Sequence, residues 1–212
     1  DDYLTHTLYD IDEATHALLT NTCGMTRPNL IKLAFAATSD PEMTITPALC
    51  DVGVQDWLDA VEAFRVQWRE ESPAAIAAML AALTTKSLQG SAYQLKRTQK
   101  NVASLEAWLK GNATPQLTRP PAYITYFTAS RIRSKAKDAI GEAVAALPLF
   151  SAWEDLMALA SQMVEQVRTR FAHRSRSELA RKIQERGLLS FQDLLRGLAT
   201  GLHHPERGDE LA

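Results

Sequence analysis

The chain has 212 residues, 46% of them apolar, with 9 glycines, 9 prolines and a net charge of −2. It contains no run of about 18 apolar residues, so no membrane span is expected, and no charged-then-apolar leader opens it. Two cysteines, Cys23 and Cys50, are too few for a disulfide framework or a zinc site, which leaves free thiols in a reducing cytoplasm as the expectation. Sparse Gly and Pro beside plentiful Ala, Leu, Gln, Arg and Glu favour helix over sheet.

In chain order, Tyr3, Leu4, Leu8, Ile11, Leu18 and Leu19 recur at helical spacing, so a helix is expected over 2–20. Thr26-Arg27-Pro28 fits a second helix start, with Pro28 in the first turn, running to about Ala37. The two prolines of residues 40–51 predict an extended loop. Val54, Trp57, Leu58, Val61, Phe64 and Trp68 form an amphipathic stripe over about 52–71, and Ser72-Pro73 is expected to cap a separate helix carrying Ile76, Met79, Leu80 and Leu83. Gln89-Gly90-Ser91 breaks the chain. A helix from about Lys100 to Lys110 follows, with Thr98 as its expected cap, and then a loop over 111–121. Residues 123–146 read as two helical pieces.

Pro148 opens the longest element. Trp153, Leu156, Met157, Ala160, Met163, Val164, Val167 and Phe171 recur regularly, the pattern lapses at 173–176, and it resumes at Leu179 and Ile183. One helix of that length would span about 57 Å. Gly187 then offers a C-cap. Ser190 with Asp193 resembles a capping box, ahead of an apolar stripe of Phe191, Leu194, Leu195 and Leu198. The expected fold is all-α, an irregular helical domain over 1–186 with one long helix near its C-terminal end, followed by a distinct segment over 187–212.

The small net charge hides an asymmetry. Residues 1–71 carry 13 acids and 4 bases, whereas 86–137 carry 10 bases and the single acid Glu106, and 165–186 carry 7 bases and 3 acids. Such blocks either face each other within the fold or give the basic half a polyanionic partner. Lys96, Arg97 and Lys100 follow the Gly-Ser break and are candidate phosphate ligands. Tyr93 either packs on a sugar or base or lies in the core. Arg131, Arg133, Lys135 and Lys137 alternate, which on a helix divides them between two sides.

No G-x-x-x-x-G-K-[ST] loop, paired-carboxylate box, metal-ligand spacing or nucleophile–base pair is visible. His6, His16, His173, His203 and His204 are scattered. The chain by itself reads as a non-enzyme without metal or cofactor.

The segment Gly187-Leu188-Leu189-Ser190-Phe191-Gln192-Asp193-Leu194-Leu195 resembles the apolar-x-Phe-Asp-Asp-Leu-Leu signature of superfamily 1 DNA helicases. Within that superfamily the chain is similar to the beta subunits of exodeoxyribonuclease V, the helicase–nuclease subunits of RecBCD-type complexes. Asp2 to Tyr9, Val66-Gln67-Trp68-Arg69, the basic run from Tyr93 to Trp108, and Leu147-Pro148-Leu149-Phe150 fit in the same order. Gln192 stands where the signature has its first Asp, and Leu4-Thr5 where the family has Trp-Arg.

The resemblance implies that the chain is the helical 1B insertion of the first motor domain, re-entering that domain through Phe191, Asp193 and Leu194. The start at Asp1 rather than Met agrees with an excised segment. ATP and Mg²⁺ would be bound by the parent protein outside this segment. The implied role is to guide DNA, single-stranded and duplex, at the fork during double-strand-break repair in the bacterial cytoplasm, beside the gamma and alpha subunits. An arm over about 26–50, with Arg27 and Lys32 as its cations, would reach toward the duplex. A different reading makes the basic half a protein-docking module that meets sister subunits without touching DNA.

Overall fold

In a computed structural model, residues 18–40, 43–110 and 125–186 are described, and all structural statements below concern these. The fold is all-α. A single π-helical turn, Leu18–Thr22, precedes α1 (Arg27–Ser39), α2 (Val54–Thr84), α3 (Leu95–Lys110), α4 (Ala129–Ser134), α5 (Ala139–Ala145) and α6 (Pro148–Glu185). The described residues contain no strand, only one antiparallel bridge between Leu88 and Ala136. Most of the helix expected over 2–20, the loop over 111–121 and the segment 187–212 lie outside the described residues.

The 38-residue α6 is the spine. α1, α2 and α4 pack on it, α3 leans on α2, and α5 bridges α2 and α4. Its buried row includes Leu149, Phe150, Trp153, Leu156, Ala160, Met163 and Phe171. Trp153 sits at the centre of an aromatic cluster, its ring 5.3 Å from Phe64 and 5.7 Å from Trp108 between centroids. No single helix is long and apolar enough to cross a membrane; α5 and α6 meet that test only as a bent pair.

The break expected at Ser72-Pro73 is absent, and α2 runs through Pro73 for 31 residues. A mid-helix proline loses one backbone hydrogen bond and crowds the preceding turn, a cost of about 3 kcal/mol. The buried row explains why the helix continues. Trp57, Val61, Phe64, Trp68, Ser72, Ala75, Met79 and Ala82 recur every three or four residues without interruption. Pro73 itself is exposed. Burying Met79, worth about 1.5–3 kcal/mol, together with Ala75 and Ala82, offsets the penalty.

Left-handed Lys86, at φ 61°, ends α2 and lets the Ser87 N–H reach the Ala82 carbonyl at 2.9 Å, a Schellman-type closure. The chain then pairs with residues 135–137, Gln89 N–H donating to Lys135 O and Lys137 N–H to Ser87 O, each at 2.9 Å. α5 rests on this bridge through Gly141, where a Cβ would lie 2.6 Å from Ser87 O and 2.8 Å from Ala136 Cβ. Asp138 starts α5 by accepting the Ile140 and Gly141 N–H groups at 3.0 Å. The backbone N–H of Gly141 foremost holds its carboxyl below the usual range.

α3 begins at Leu95, a turn earlier than expected, and Thr98 is not its cap but a fully buried residue within it. The lapse in the α6 pattern at 173–176 also has a cause. Ser175 is buried there, and Arg176 donates through Nε to Ala37 O at 2.8 Å and through Nη2 to Asp40 O at 3.4 Å, closing the C-terminal end of α1. Arg168 Nε donates to Cys23 O at 2.8 Å and Arg170 Nη2 to Cys50 O at 2.7 Å. Buried Gln166 accepts from Cys50 N–H and donates to Ala48 O, both at 2.9 Å. Polar side chains of α6 thus latch the backbone of residues 23–50 to the spine.

Candidate nucleic-acid interface

The site grows from two tyrosines that the helices bury together. Tyr93 precedes α3 and Tyr126 precedes α4; their rings meet edge to face at 4.6 Å. Tyr93 Oη donates to Tyr126 O at 2.9 Å, and the Tyr126 hydroxyl shares a 2.7 Å hydrogen bond with the Thr98 hydroxyl. Tyr93, Thr98 and Tyr126 are 2%, 0% and 0% exposed. This buried polar pin fixes the start of α3 against the start of α4.

Cations lie over the pin from both helices. The Arg97 guanidinium carbon is 5.7 Å from the Tyr126 ring centroid, a cation–π contact. Arg131 Nη1 donates to Thr125 Oγ1 at 3.1 Å, and its charge lies near the Tyr93 hydroxyl. Burial raises the Tyr93 phenol well above its ordinary pKa, with the Arg131 charge opposing. Burial likewise raises Tyr126, opposed by the Thr98 hydrogen bond and the Arg97 charge. Both phenols therefore stay neutral, and the overlying positive charge is not cancelled from beneath.

Lys96 and Lys100 stand one turn apart on α3, both exposed. Among the described residues no carboxylate lies within ion-pair distance of Lys96, Arg97, Lys100 or Arg131. Arg133 differs, since its Nε is 3.5 Å from Glu142 Oε2 with both side chains about half exposed. Such a pair is worth about 0–1 kcal/mol, and it gives Arg133 a carboxylate neighbour that the other four lack among the described residues.

The sequence candidates therefore divide. Arg97 and Arg131 meet at the Tyr93–Tyr126 pair, and Lys96 and Lys100 are exposed on the same helix as Arg97. Tyr93 supports the two arginines from below and, being buried, has no ring face for a base; its apolar and aromatic contacts in the core decide this. Arg27 and Lys32 lie on α1, whose flanking carbonyls are held by Arg168 and Arg176. The α4 end of the spine is marked by Glu154, which accepts from Ser130 N–H at 2.8 Å. Counting along α6 from Glu154 to Arg168 and Arg176, the two cation sets are roughly 20–33 Å apart. Phe191, Asp193 and Leu194 lie outside the described residues.

Tyr126 and Thr125 carry no periodic signal, and sequence reading passes over them; Thr98 is visible only as a candidate cap. The arginines of α6 are visible in the sequence as charge but not as ligands of backbone carbonyls. A second concavity of about 520 Å³ lies between α2 and α3. Its cations are Arg65, Arg69 and Lys110; Arg65 pairs with Glu62 at 3.1 Å and Lys110 with Glu106 at 3.9 Å, so carboxylates are interspersed among its charges. Among the described residues no group of three His, Cys, Asp or Glu is placed to hold a metal ion. No protein-family model and no curated protein sequence matches the chain at a significant level.

Proposed function

We propose that this chain is a DNA-guiding accessory domain of an ATP-dependent helicase–nuclease of the exodeoxyribonuclease V beta-subunit type. In this reading the chain performs no catalysis. ATP and Mg²⁺ act in the parent motor, the gamma and alpha subunits are its neighbours, and the setting is break repair in the bacterial cytoplasm. The observation that carries the reading is the meeting of Arg97 and Arg131 at the Tyr93–Tyr126 pair, with exposed Lys96 and Lys100 on the helix of Arg97 and, among the described residues, no carboxylate within ion-pair distance of any of the four. Two anchored arginines, with two exposed lysines on the same helix as Arg97, suit a phosphate backbone, where each contact releases condensed counterions. The ordered run of family-like motifs supports the same assignment.

The test is binding of a fluorescent oligonucleotide across a salt series. With three to five phosphate contacts, log K against log salt falls with a slope of about −3 to −4. Arg97→Glu with Arg131→Glu lowers the slope by roughly 2 and the affinity at least about tenfold. A flat salt response sinks the proposal. If the same charge reversal impairs assembly with sister subunits and leaves DNA affinity of the assembled complex unchanged, the surface is a protein-docking site instead.

A further inference from the structure

We infer that the α3–α4 surface holds nucleic acid by its phosphodiester backbone alone and neither stacks nor reads a base. The inference rests on the DNA-binding reading above and narrows its ligand class. Proteins that hold single strands commonly place bases on exposed aromatic rings. Here the aromatic side chains beneath the cations are Tyr93, Tyr126 and Phe127, at 2%, 0% and 1% exposure. The Tyr126 ring is covered by Arg97 on one side and by the edges of Tyr93 and Phe127 on others. Its hydroxyl is committed to Thr98 and that of Tyr93 to a backbone carbonyl. Neither of these two phenols is left to recognise a base edge.

What the surface does offer is charge. Lys96 and Lys100 are exposed point charges, whereas Arg97 and Arg131 are held by Tyr126 and Thr125. Gln94 and Gln99 are exposed nearby, but among the described residues no exposed ring is shown beside them to hold a base in register. The half-buried Trp108 lies toward the far end of α3 and packs on Trp153, and exposed Phe35 belongs to α1 at the other end of the spine. A polymer carrying regular phosphates satisfies every group present, whatever bases it bears. Duplex DNA, with one charge per about 1.7 Å of axis, satisfies them best.

The experiment compares three ligands of about 16 nucleotides or base pairs with the 212-residue chain at one salt concentration. They are oligo-dT, an abasic deoxyribose-phosphate strand of equal length, and a duplex. The expected result is abasic affinity within about twofold of oligo-dT, with the duplex tighter than both and all three weakened by Arg97→Glu with Arg131→Glu. A stacked base contributes roughly a factor of five to a hundred and fifty. Loss of tenfold or more on removing the bases, with oligo-dT still bound, overturns this inference and leaves the DNA-binding reading standing. Failure of all three ligands to bind overturns both.

Discussion

Beside the C-terminal half of α6, Arg168, Arg170 and Arg176 donate to carbonyls of residues 23, 50, 37 and 40. Beside its N-terminal half, Arg97 and Arg131 lie by buried tyrosines, Lys96 and Lys100 are exposed on α3, and none of the four meets a carboxylate among the described residues. Both ends are basic in sequence, but the cations have different duties. At the latch end each guanidinium donates to a backbone oxygen, and Arg176 to two. At the α3–α4 end the side chains leave their charge facing solvent. A count of Lys and Arg does not separate these cases; the acceptor that each donor meets does.

The largest disturbance should come from the support common to both ends. Trp153 is 1% exposed and touches Phe64 and Trp108. Trp153→Ala is expected to cost about 3–5 kcal/mol, measured as a lower urea midpoint, and to loosen both regions together. If only one region loosens, the spine is not their shared support.

A smaller and local effect is expected from Arg176→Ala, about 1.5 kcal/mol for bonds from a charged donor. Cys23 reports it. Burial pushes its thiol up to about 11, with the Arg168 charge opposing, and its Sγ lies 3.7 Å from Met163 Sδ. Wild-type Cys23 should alkylate slowly at pH 8, while exposed Cys50 reacts at once. Arg176→Ala should speed Cys23 labelling about tenfold by easing local opening and leave oligonucleotide affinity unchanged. Loss of affinity in this variant would mean that the latch and the binding surface are one unit.

The smallest effect is a pH dependence to which carboxyls beside α4 and α5 contribute, with Glu178 of α6 depressed likewise by its hydrogen bond from Arg181. Asp138 has a depressed pKa, chiefly through the Gly141 N–H, and Glu154 through hydrogen bonds from Ser130. A carboxyl depressed in the folded state contributes fully above its unfolded pKa, and the contribution disappears as pH falls through the folded value. Stability should therefore decline below about pH 4. Asp138→Asn should flatten that part of the profile, read as the thermal midpoint by circular dichroism. An identical acid limb in the variant would assign it to other carboxyls.

Helix content and the long final element were legible because Trp153 to Phe171 repeat over many turns. The start of α1 was legible from Thr26 and Pro28. Pro73 misled because a local breaker competes with a buried row set by tertiary packing, and the packing extends on both sides of it. Thr98 misled for a related reason, since a hydroxyl that can cap a helix also serves as a partner for a buried phenol 28 residues away. Lys96, Arg97 and Lys100 were recognisable as a basic run. The meeting of Arg97 with Arg131 was not, because it depends on the Tyr93–Tyr126 contact, which spans 33 residues and has no periodicity.

The latch on residues 23–50 grips main-chain oxygens and one main-chain N–H, so it asks almost nothing of the side chains it restrains. The outward row of α1, including Ile31 at 49% and Phe35 at 74% exposure, can be rewritten without disturbing how that helix is seated. A descendant protein, or an engineer, gains a tethered and freely editable surface there, with its mounting encoded in a different part of the gene.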